Sequence, residues 1–322
     1  MNDFVSVDWG TTSLRASLCS SGGKIILRSV SSDDGALSVH QRFLAQSDKG
    51  PDARKIFYLK VLQDLIHQLS LPADHRMPVL ISGMASSNIG METVPYASLP
   101  FGLTGKNAVV KQWEEDGQEY FMVSGLATED DLMRGEETQL VGAAVLTNMQ
   151  HEDDALFIFP GTHAKHVLVK KGMVAGFKTY MTGEVFCQMF SNSILAQSVT
   201  PHHDHEGSSK EAFIKGVKEG SDGNVLHQMF KVRINGMFNR LNKEENFSYF
   251  SGMLIGAELK DLHSLQKNRI ILCGSGEMMK AYQLALQSLN IDSDPQRLST
   301  VDAGVATAVG QHEIYQQFSS RI

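Results

Sequence analysis

Val5-Ser6-Val7-Asp8-Trp9-Gly10-Thr11-Thr12-Ser13-Leu14-Arg15 and Leu156-Phe157-Ile158-Phe159-Pro160-Gly161-Thr162-His163-Ala164-Lys165 are two renderings of one pattern, half a chain apart. Each is an apolar strand running into a Gly-Thr turn, then a second strand (Leu14 to Leu18; His166 to Val169) and a glycine turn (Gly22-Gly23; Gly172). Glycine lets a backbone approach a ligand closely, and the N–H and hydroxyl groups of such a turn can bind phosphate oxygens. A single strand-turn-strand hairpin carries little information. Its recurrence predicts two similar lobes gripping one polyphosphate between them. Only the first copy ends its strand in an acid, Asp8 against Phe159, so the lobes are expected to differ in role. Asp8 is the candidate metal residue, because Mg²⁺ is usually held by one or two carboxylates plus water and substrate phosphates.

The 322 residues suit two domains, each able to bury its own core. A net charge of -7 argues against a nucleic-acid surface, which normally shows a basic footprint. It does not exclude a phosphate ligand, since backbone dipoles and a metal can hold one locally. The three cysteines, Cys19, Cys187 and Cys273, are too scattered for a metal motif or a disulfide framework, which points to a reducing cytoplasm. No basic leader precedes the first strand and no apolar run reaches membrane-spanning length, so neither export nor a membrane partner is expected.

Outward from the two hairpins, a polar stretch from Ser31 to Asp52 follows the first, and Pro51 introduces a helix. Ile56, Leu59, Leu62, Ile66 and Leu69 recur there at helical spacing and predict one buried stripe. Met77 to Gly83 reads as a buried strand ending in the small polar loop Ser82 to Gly90. Asp130 to Ala143 reads as a loop passing into a helix, with Glu136 and Glu137 in the first turn, where the helix dipole favours acids. That helix is expected to join the lobes. In the second half, Phe213 to Leu241 is helical with a break at Gly220 to Asn224, and Ser251 to Leu262 carries Gly252 and Gly256 for close packing. Arg269 to Cys273 is a strand, Glu277 to Leu289 a helix, and Asp302-Ala303-Gly304 opens the last helix. The repeat and the polar Asn148 to Asp154 stretch set the boundary. Residues 1–150 form the first lobe, to which a C-terminal helix over 302–322 can return, and 151–301 form the second.

Other site signals are weaker. No Gly-x-x-x-x-Gly-Lys-Ser/Thr occurs, so a P-loop enzyme is unsupported. Gly274-Ser275-Gly276 has Met279 where a dinucleotide fingerprint wants glycine, which disfavours a dehydrogenase. A strand followed by this turn and a helix N-terminus can still receive a nucleotide, or be simply a tight turn. His202, His203, Asp204 and His205 read better as a solvated loop than as a zinc site, because adjacent residues rarely all reach one tetrahedral ion.

Together these segments resemble the 2-dehydro-3-deoxygalactonokinase (2-keto-3-deoxygalactonate kinase) family, almost end to end. The likeness is carried by Asp8 to Ala16, Ser86 to Tyr96, Met133 to Leu140, Pro160 to Lys165, Tyr180 to Glu184 and Leu254 to Glu258. It implies an α/β fold of two ribonuclease-H-like, actin-like ATPase lobes around a central nucleotide cleft, with ATP and Mg²⁺ as cofactors. It also implies ATP-dependent phosphorylation of the 6-hydroxyl of 2-dehydro-3-deoxy-D-galactonate in galactonate catabolism. The alternatives are a related 2-keto-3-deoxy sugar acid, or a non-catalytic ATP-binding protein of the same fold; a homodimer is possible in either case. On this reading Asp8 holds the metal, and Gly10, Thr11, Thr12 and Arg15 meet the phosphates. Gly161, Thr162, His163 and Lys165 meet them from the other lobe, and Gly274, Ser275 and Gly276 receive the nucleotide. Glu136 is the expected general base, with Glu137 and Asp131 as rivals. Arg134 clamps the substrate carboxylate, and Ser87, Asn88, Glu137, Thr182 and Glu184 line the sugar pocket. Two positions depart from the family pattern: Met91, where tryptophan is usual, and His166, where an aromatic residue usually follows Lys165. Both are expected to alter that pocket.

Overall fold

A computed structural model describes residues 3–47, 50, 52–71, 77–202, 206–265, 269–291 and 297–320. Pro51, Pro72, His203, Asp204 and His205 lie outside the described residues. The chain divides into two compact units. One comprises the chain to Asp154 together with Val167–Phe177 and the chain from Val301; the other comprises Ala155–His166 and Lys178–Thr300.

The first unit begins with three strands, β1 (Asp3–Trp9), β2 (Leu14–Ser20) and β3 (Ile25–Ser32), followed by α1 (Ala36–Leu44) and α2 (Ala53–His67). Then come β4 (Val79–Gly83), β5 (Ala97–Ser98), β6 (Val110–Glu115), β7 (Gln118–Val123), β8 (Leu126–Ala127), β9 (Leu132–Met133) and α3 (Glu136–Leu146). The main sheet has the order β3-β2-β1-β4-β7-β6, and β5, β8 and β9 form a small separate one. β1 runs antiparallel to β2 and parallel to β4, so the Gly10 turn and the Gly83 turn leave the sheet at the same edge. β1 alternates as a two-faced strand must. Val5, Val7 and Trp9 pack in the cluster that includes Tyr58, Leu59, Leu62 and Leu65 of α2. Phe4 packs in the opposite cluster, with Leu80 and Phe121.

The second unit holds β10 (Ala155–Phe159), followed in the chain by β11 (Ala164–Lys170), β12 (Met173–Tyr180), α4 (Thr182–Asn192), α5 (Gly207–Asp222), α6 (Val225–Met237) and α7 (Lys243–Leu259). It continues with β13 (Arg269–Gly274), α8 (Gly276–Ser288) and β14 (Leu298–Asp302). The sheet built on β10 has the order β12-β11-β10-β13-β14, which reproduces the β3-β2-β1-β4-β7 order of the first sheet, with β10 and β13 again parallel; Val167–Phe177 of its β11 and β12 group with the first unit. α9 (Ala303–Ser319) closes the chain in the first unit, with Ala308, Tyr315 and Phe318 in the Phe4 cluster.

Three expectations change. The polar stretch after β3 contains α1, whose Ala36, Val39 and Phe43 form a short buried stripe among polar neighbours. In α2 the stripe is rotated: Ile56 is 63% exposed, and Tyr58, Leu59, Leu62 and Leu65 face the core. The helix at Glu136 does not join the units. α3 lies wholly in the first and packs on α9 at backbone distance. A Cβ on Gly142 would fall 1.9 Å from the Ala306 carbonyl oxygen, and one on Gly310 would fall 1.9 Å from that of Thr138. α5 and α7 interlock in the same way, Gly252 against Phe213 and Gly256 against Val217.

Candidate active site

In the first unit the Gly10 turn is closed by its own hydrogen bond, Gly10 N–H donating to Ser13 O at 2.9 Å. The start of α1 is laid across it: Ala36 N–H donates to Gly10 O at 3.0 Å and Leu37 N–H to Thr11 O at 3.2 Å. Gly35 permits this approach, since a Cβ there would lie 2.3 Å from Thr11 O. The turn's carbonyls are thus occupied, while Thr11, Thr12, Ser13 and Arg15 stay exposed. Asp8, partly buried, pairs in register with Arg15 on β2 and Ser82 on β4. Burial raises its pKa above the ordinary carboxylate value, the Arg15 charge opposes that rise, and Glu136 adds to it.

Glu136 reaches Asp8's surroundings because two glycines bring α3 to the end of β4. Gly83 (φ +86°) lies under the Trp9 carbonyl, and a Cβ on Gly135 (φ +108°) would sit 3.4 Å from Gly83 Cα. Arg134, just before, accepts no freedom: its guanidinium lies 4.1 Å above the Tyr96 ring and donates to Ser86 O at 2.7 Å and to Ser86 Oγ at 2.5 Å. Its backbone N–H donates to Glu136 Oε2 at 3.0 Å. Its Nε is buried with no hydrogen-bond partner among the described residues, which leaves one donor for an added acceptor.

The remaining substrate-side candidates are engaged elsewhere. Glu137 is only 1% exposed and accepts from Gly135 N–H at 2.7 Å and Thr138 Oγ at 2.8 Å, so it shapes the entry to α3. Burial lifts its pKa to about 7, with Glu136 adding to the rise. Ser87 donates to Met84 O, and Asn88, exposed, offers its carbonyl to Arg54. Asp131 accepts from Leu132 N–H within a local turn. Met91 is buried in the main core of its unit.

The second unit repeats the turn-and-helix arrangement with different chemistry. The α4 start crosses the Gly161 turn: Glu184 N–H donates to Thr162 O at 3.0 Å, and a Cβ on Gly183 would fall 2.6 Å from Gly161 O. Thr162 and His163 are exposed; His163 bonds the Glu184 carboxylate, and buried Lys165 donates to His163 O at 2.9 Å. Thr182 is turned inward. Its hydroxyl donates to Glu258, which also accepts from Tyr282 at 2.7 Å and hydrogen-bonds His166 Nε2 at 2.8 Å. One buried carboxylate therefore ties β11, α4, α7 and α8 together. His166 belongs to that interior network, and both His166 and Glu258 are at most 5% exposed. Gly274 ends β13 beside Pro160, and Ser275 and Gly276 open α8 exposed, at the same sheet edge as the Gly161 turn.

Among the described residues no cluster of three or more His, Cys, Asp or Glu is arranged to hold a metal, and His202 only approaches Glu244, at 3.8 Å. A site of the zinc type is absent from them. Asp8 beside Glu136 fits the needs of Mg²⁺, whose remaining ligands come from phosphate and water. Sequence reasoning gave no role to Gly35, Gly183, Tyr96 and Glu258, although the last three lie in the stretches that carry the family resemblance. The first two were accessible by extending the repeat, because each glycine lies at the start of the helix that follows the third strand.

Duplicated three-strand units, each with a Gly-Thr turn clamped by a helix start, define the actin-like fold of the sugar-kinase class. Within it the chain belongs to the 2-keto-3-deoxy-galactonokinase family, whose model matches residues 8–310. It is 29% identical over 296 residues to the 2-dehydro-3-deoxygalactonokinase of Escherichia coli (strain K12), covering 90% of this chain and 91% of that one. A Rhizobium meliloti (strain 1021) protein named "Probable 2-dehydro-3-deoxygalactonokinase" is 29% identical over 318 residues, covering 95% and 94%. A crystal structure from Sinorhizobium meliloti, provisionally given the same kinase name, superposes with a TM-score of 0.79 at 26% identity, covering 97% of this chain and 96% of that one. No helix among the described residues is long and apolar enough to cross a membrane.

Proposed function

We propose that the chain transfers the γ-phosphoryl group of ATP to the primary, 6-hydroxyl of 2-dehydro-3-deoxy-D-galactonate. The observation that carries this is the grouping, at one edge of the first unit, of an acid at the strand end, a second acid on the α3 start and a braced arginine. Asp8 would hold ATP-bound Mg²⁺, which supplies charge neutralisation on the phosphates. Exposed Thr11, Thr12 and Arg15 donate to phosphate oxygens; in the second unit Gly161, Thr162 and the open start of α8 present the corresponding donors. Glu136 takes the proton as the substrate oxygen bonds to phosphorus and the bond from phosphorus to ADP breaks. The unpartnered Nε of Arg134 would donate to the substrate carboxylate. Family membership supports the sugar-acid class. The reducing, cytoplasmic setting fits three cysteines that are all free.

The test is ATP consumption against 2-keto-3-deoxygalactonate, 2-keto-3-deoxygluconate and unmodified aldonates, with Asp8→Asn as control. The first substrate should give the highest kcat/KM, and Asp8→Asn should abolish turnover while retaining the parental melting curve. Preference for another acid of the panel overturns the substrate, and near-parental turnover in Asp8→Asn overturns the metal role.

A further inference from the structure

Helix α6 is apolar on two sides: Val225, Met229 and Val232 pack into the core, and a second stripe faces outward. At 100° per residue, Leu226, Phe230, Arg233 and Met237 fall within one narrow stripe. Three of them are apolar and open to water: Leu226 at 74%, Phe230 at 54% and Met237 at 62%. The opposite side, which is buried, carries Gln228 and Asn235 around Val232. Phe238, 64% exposed beneath the Arg240 guanidinium, extends the apolar surface past the helix end. The buried Asn235 is paired with Asn246 inside the unit, whereas the Leu-Phe-Met stripe has no such partner among the described residues and calls for a cover.

We infer that a second copy of this chain covers it, with the two α6 helices packed antiparallel about a two-fold axis. The stripe is self-complementary in that arrangement alone. Centred between Phe230 and Arg233, it sets Leu226 against Met237 of the second copy and Phe230 against Arg233 of the second copy, where the guanidinium can stack on the ring. The ends match in charge as well. Exposed Asp222 precedes the helix and exposed Arg240 follows it, so antiparallel pairing brings each acid to the other copy's arginine, whereas parallel pairing would set like charges together. The four apolar side chains offer about 500 Å² per copy, beyond what isolated surface residues leave exposed. With Arg233 inside the stripe and exposed His227 beside it, each side stays below the roughly 800 Å² of a standard stable interface, which makes the dimer a concentration-dependent one.

Sedimentation equilibrium over a dilution series measures this directly. The parent should be dimeric at micromolar concentration, and Phe230→Asp should weaken self-association by about 30-fold or more, as removal of a central aromatic does. Because Phe230 is exposed, that variant should keep the parental far-ultraviolet circular dichroism spectrum, and its melting curve should match that of the parent diluted to monomer. Register is read by Leu226→Cys combined with Met237→Cys in a Cys187→Ser background, which removes the one exposed native thiol. Oxidation should give a covalent dimer from the double variant and none from either single variant. A parent that stays monomeric throughout overturns the inference. So does a dimer that Phe230→Asp leaves intact, or a double variant that does not cross-link.

Discussion

Replacing Gly183 should damage this protein more than replacing Gly161, although Gly161 belongs to the phosphate-turn signature and Gly183 does not. In Gly183→Ala the new methyl would fall 2.6 Å from Gly161 O and 2.8 Å from Thr162 Cα. Both are backbone atoms and cannot swing aside. Contact begins near 3.5 Å, so the turn and the start of α4 must part by roughly 0.8–1 Å. Overpacking of this kind costs about 1–3 kcal/mol, or about 1.5–4.5 °C in Tm for a chain of this size. The displaced group is the one assigned to phosphate, and a 1 Å misplacement can cost about 10²-fold in rate. By contrast, a Cβ on Gly161 meets nothing within 4 Å. Gly161→Ala should change stability by no more than about 0.5 kcal/mol, while its methyl intrudes where phosphate approaches and raises KM for ATP. Thermal melts with steady-state kinetics in ATP and in sugar acid separate the two effects. A Gly183→Ala protein with parental Tm and kcat/KM for ATP, or a Gly161→Ala protein that melts lower than Gly183→Ala, would refute the clamp.

Glu137→Gln tests a buried acid. Its folded pKa of about 7 lies above the unfolded value near 4.5, so the folded state binds the extra proton. The stabilisation is present below pH 4.5 and lost as pH rises through 7, by about 3 kcal/mol. The variant should therefore melt higher than the parent at pH 8 and not at pH 5; a constant difference across that range sinks the assignment. Glu258→Gln sets an amide N–H₂ against one of three donors, which should cost about 1–3 kcal/mol. Because Thr182 adjoins Gly183, KM for ATP should rise more than KM for the sugar acid, and equal effects would reduce Glu258 to a purely structural role. Arg134→Lys loses the stack on Tyr96 and the fork on Ser86, and should raise KM for the sugar acid about 10-fold with KM for ATP unchanged. An unaltered sugar-acid KM moves the carboxylate clamp elsewhere.

The hairpins, the buried apolar runs of β4, β10 and β13, and α9's Asp302 cap were legible because each is written in consecutive residues. Asp302 does accept from Val305 N–H, and Asn224 caps α6 at the break read near Gly220 to Asn224. What was not legible is nonlocal. α3 carries no mark that its partner is α9; the mark is Gly142 meeting Ala306, far along the chain. Thr182 and Glu184 stood close to a motif and were read toward the substrate, yet one bonds Glu258 and the other His163. Glu258 itself draws its three partners from three separate elements, so no spacing could announce it. Ile56 misled because α2 alternates apolar residues on more than one face, and only packing decides which face is inner.

The difference between the two hairpins is where chemistry enters a duplicated fold. Asp8 ends a strand whose neighbours on that side include Arg15 and Ser82, and Gln311 of α9 donates to Ser82 Oγ at 2.9 Å, so a polar setting surrounds the acid. Phe159, at the matching position, is 3% exposed and stacks on Phe157 with ring centroids 6.3 Å apart. β10 is buried along its whole length, and an ionised carboxylate at its end would lose its hydration without a compensating partner. The second unit instead places its acid three elements later, as Glu184 on α4, where His163 meets it at the surface. The same backbone arrangement thus presents an acid aimed along the strand in one unit and hydroxyl and N–H donors with an internally paired acid in the other. A Phe for an Asp at one register position therefore gives the two strand ends opposite character, polar and acidic in the first unit and apolar in the second.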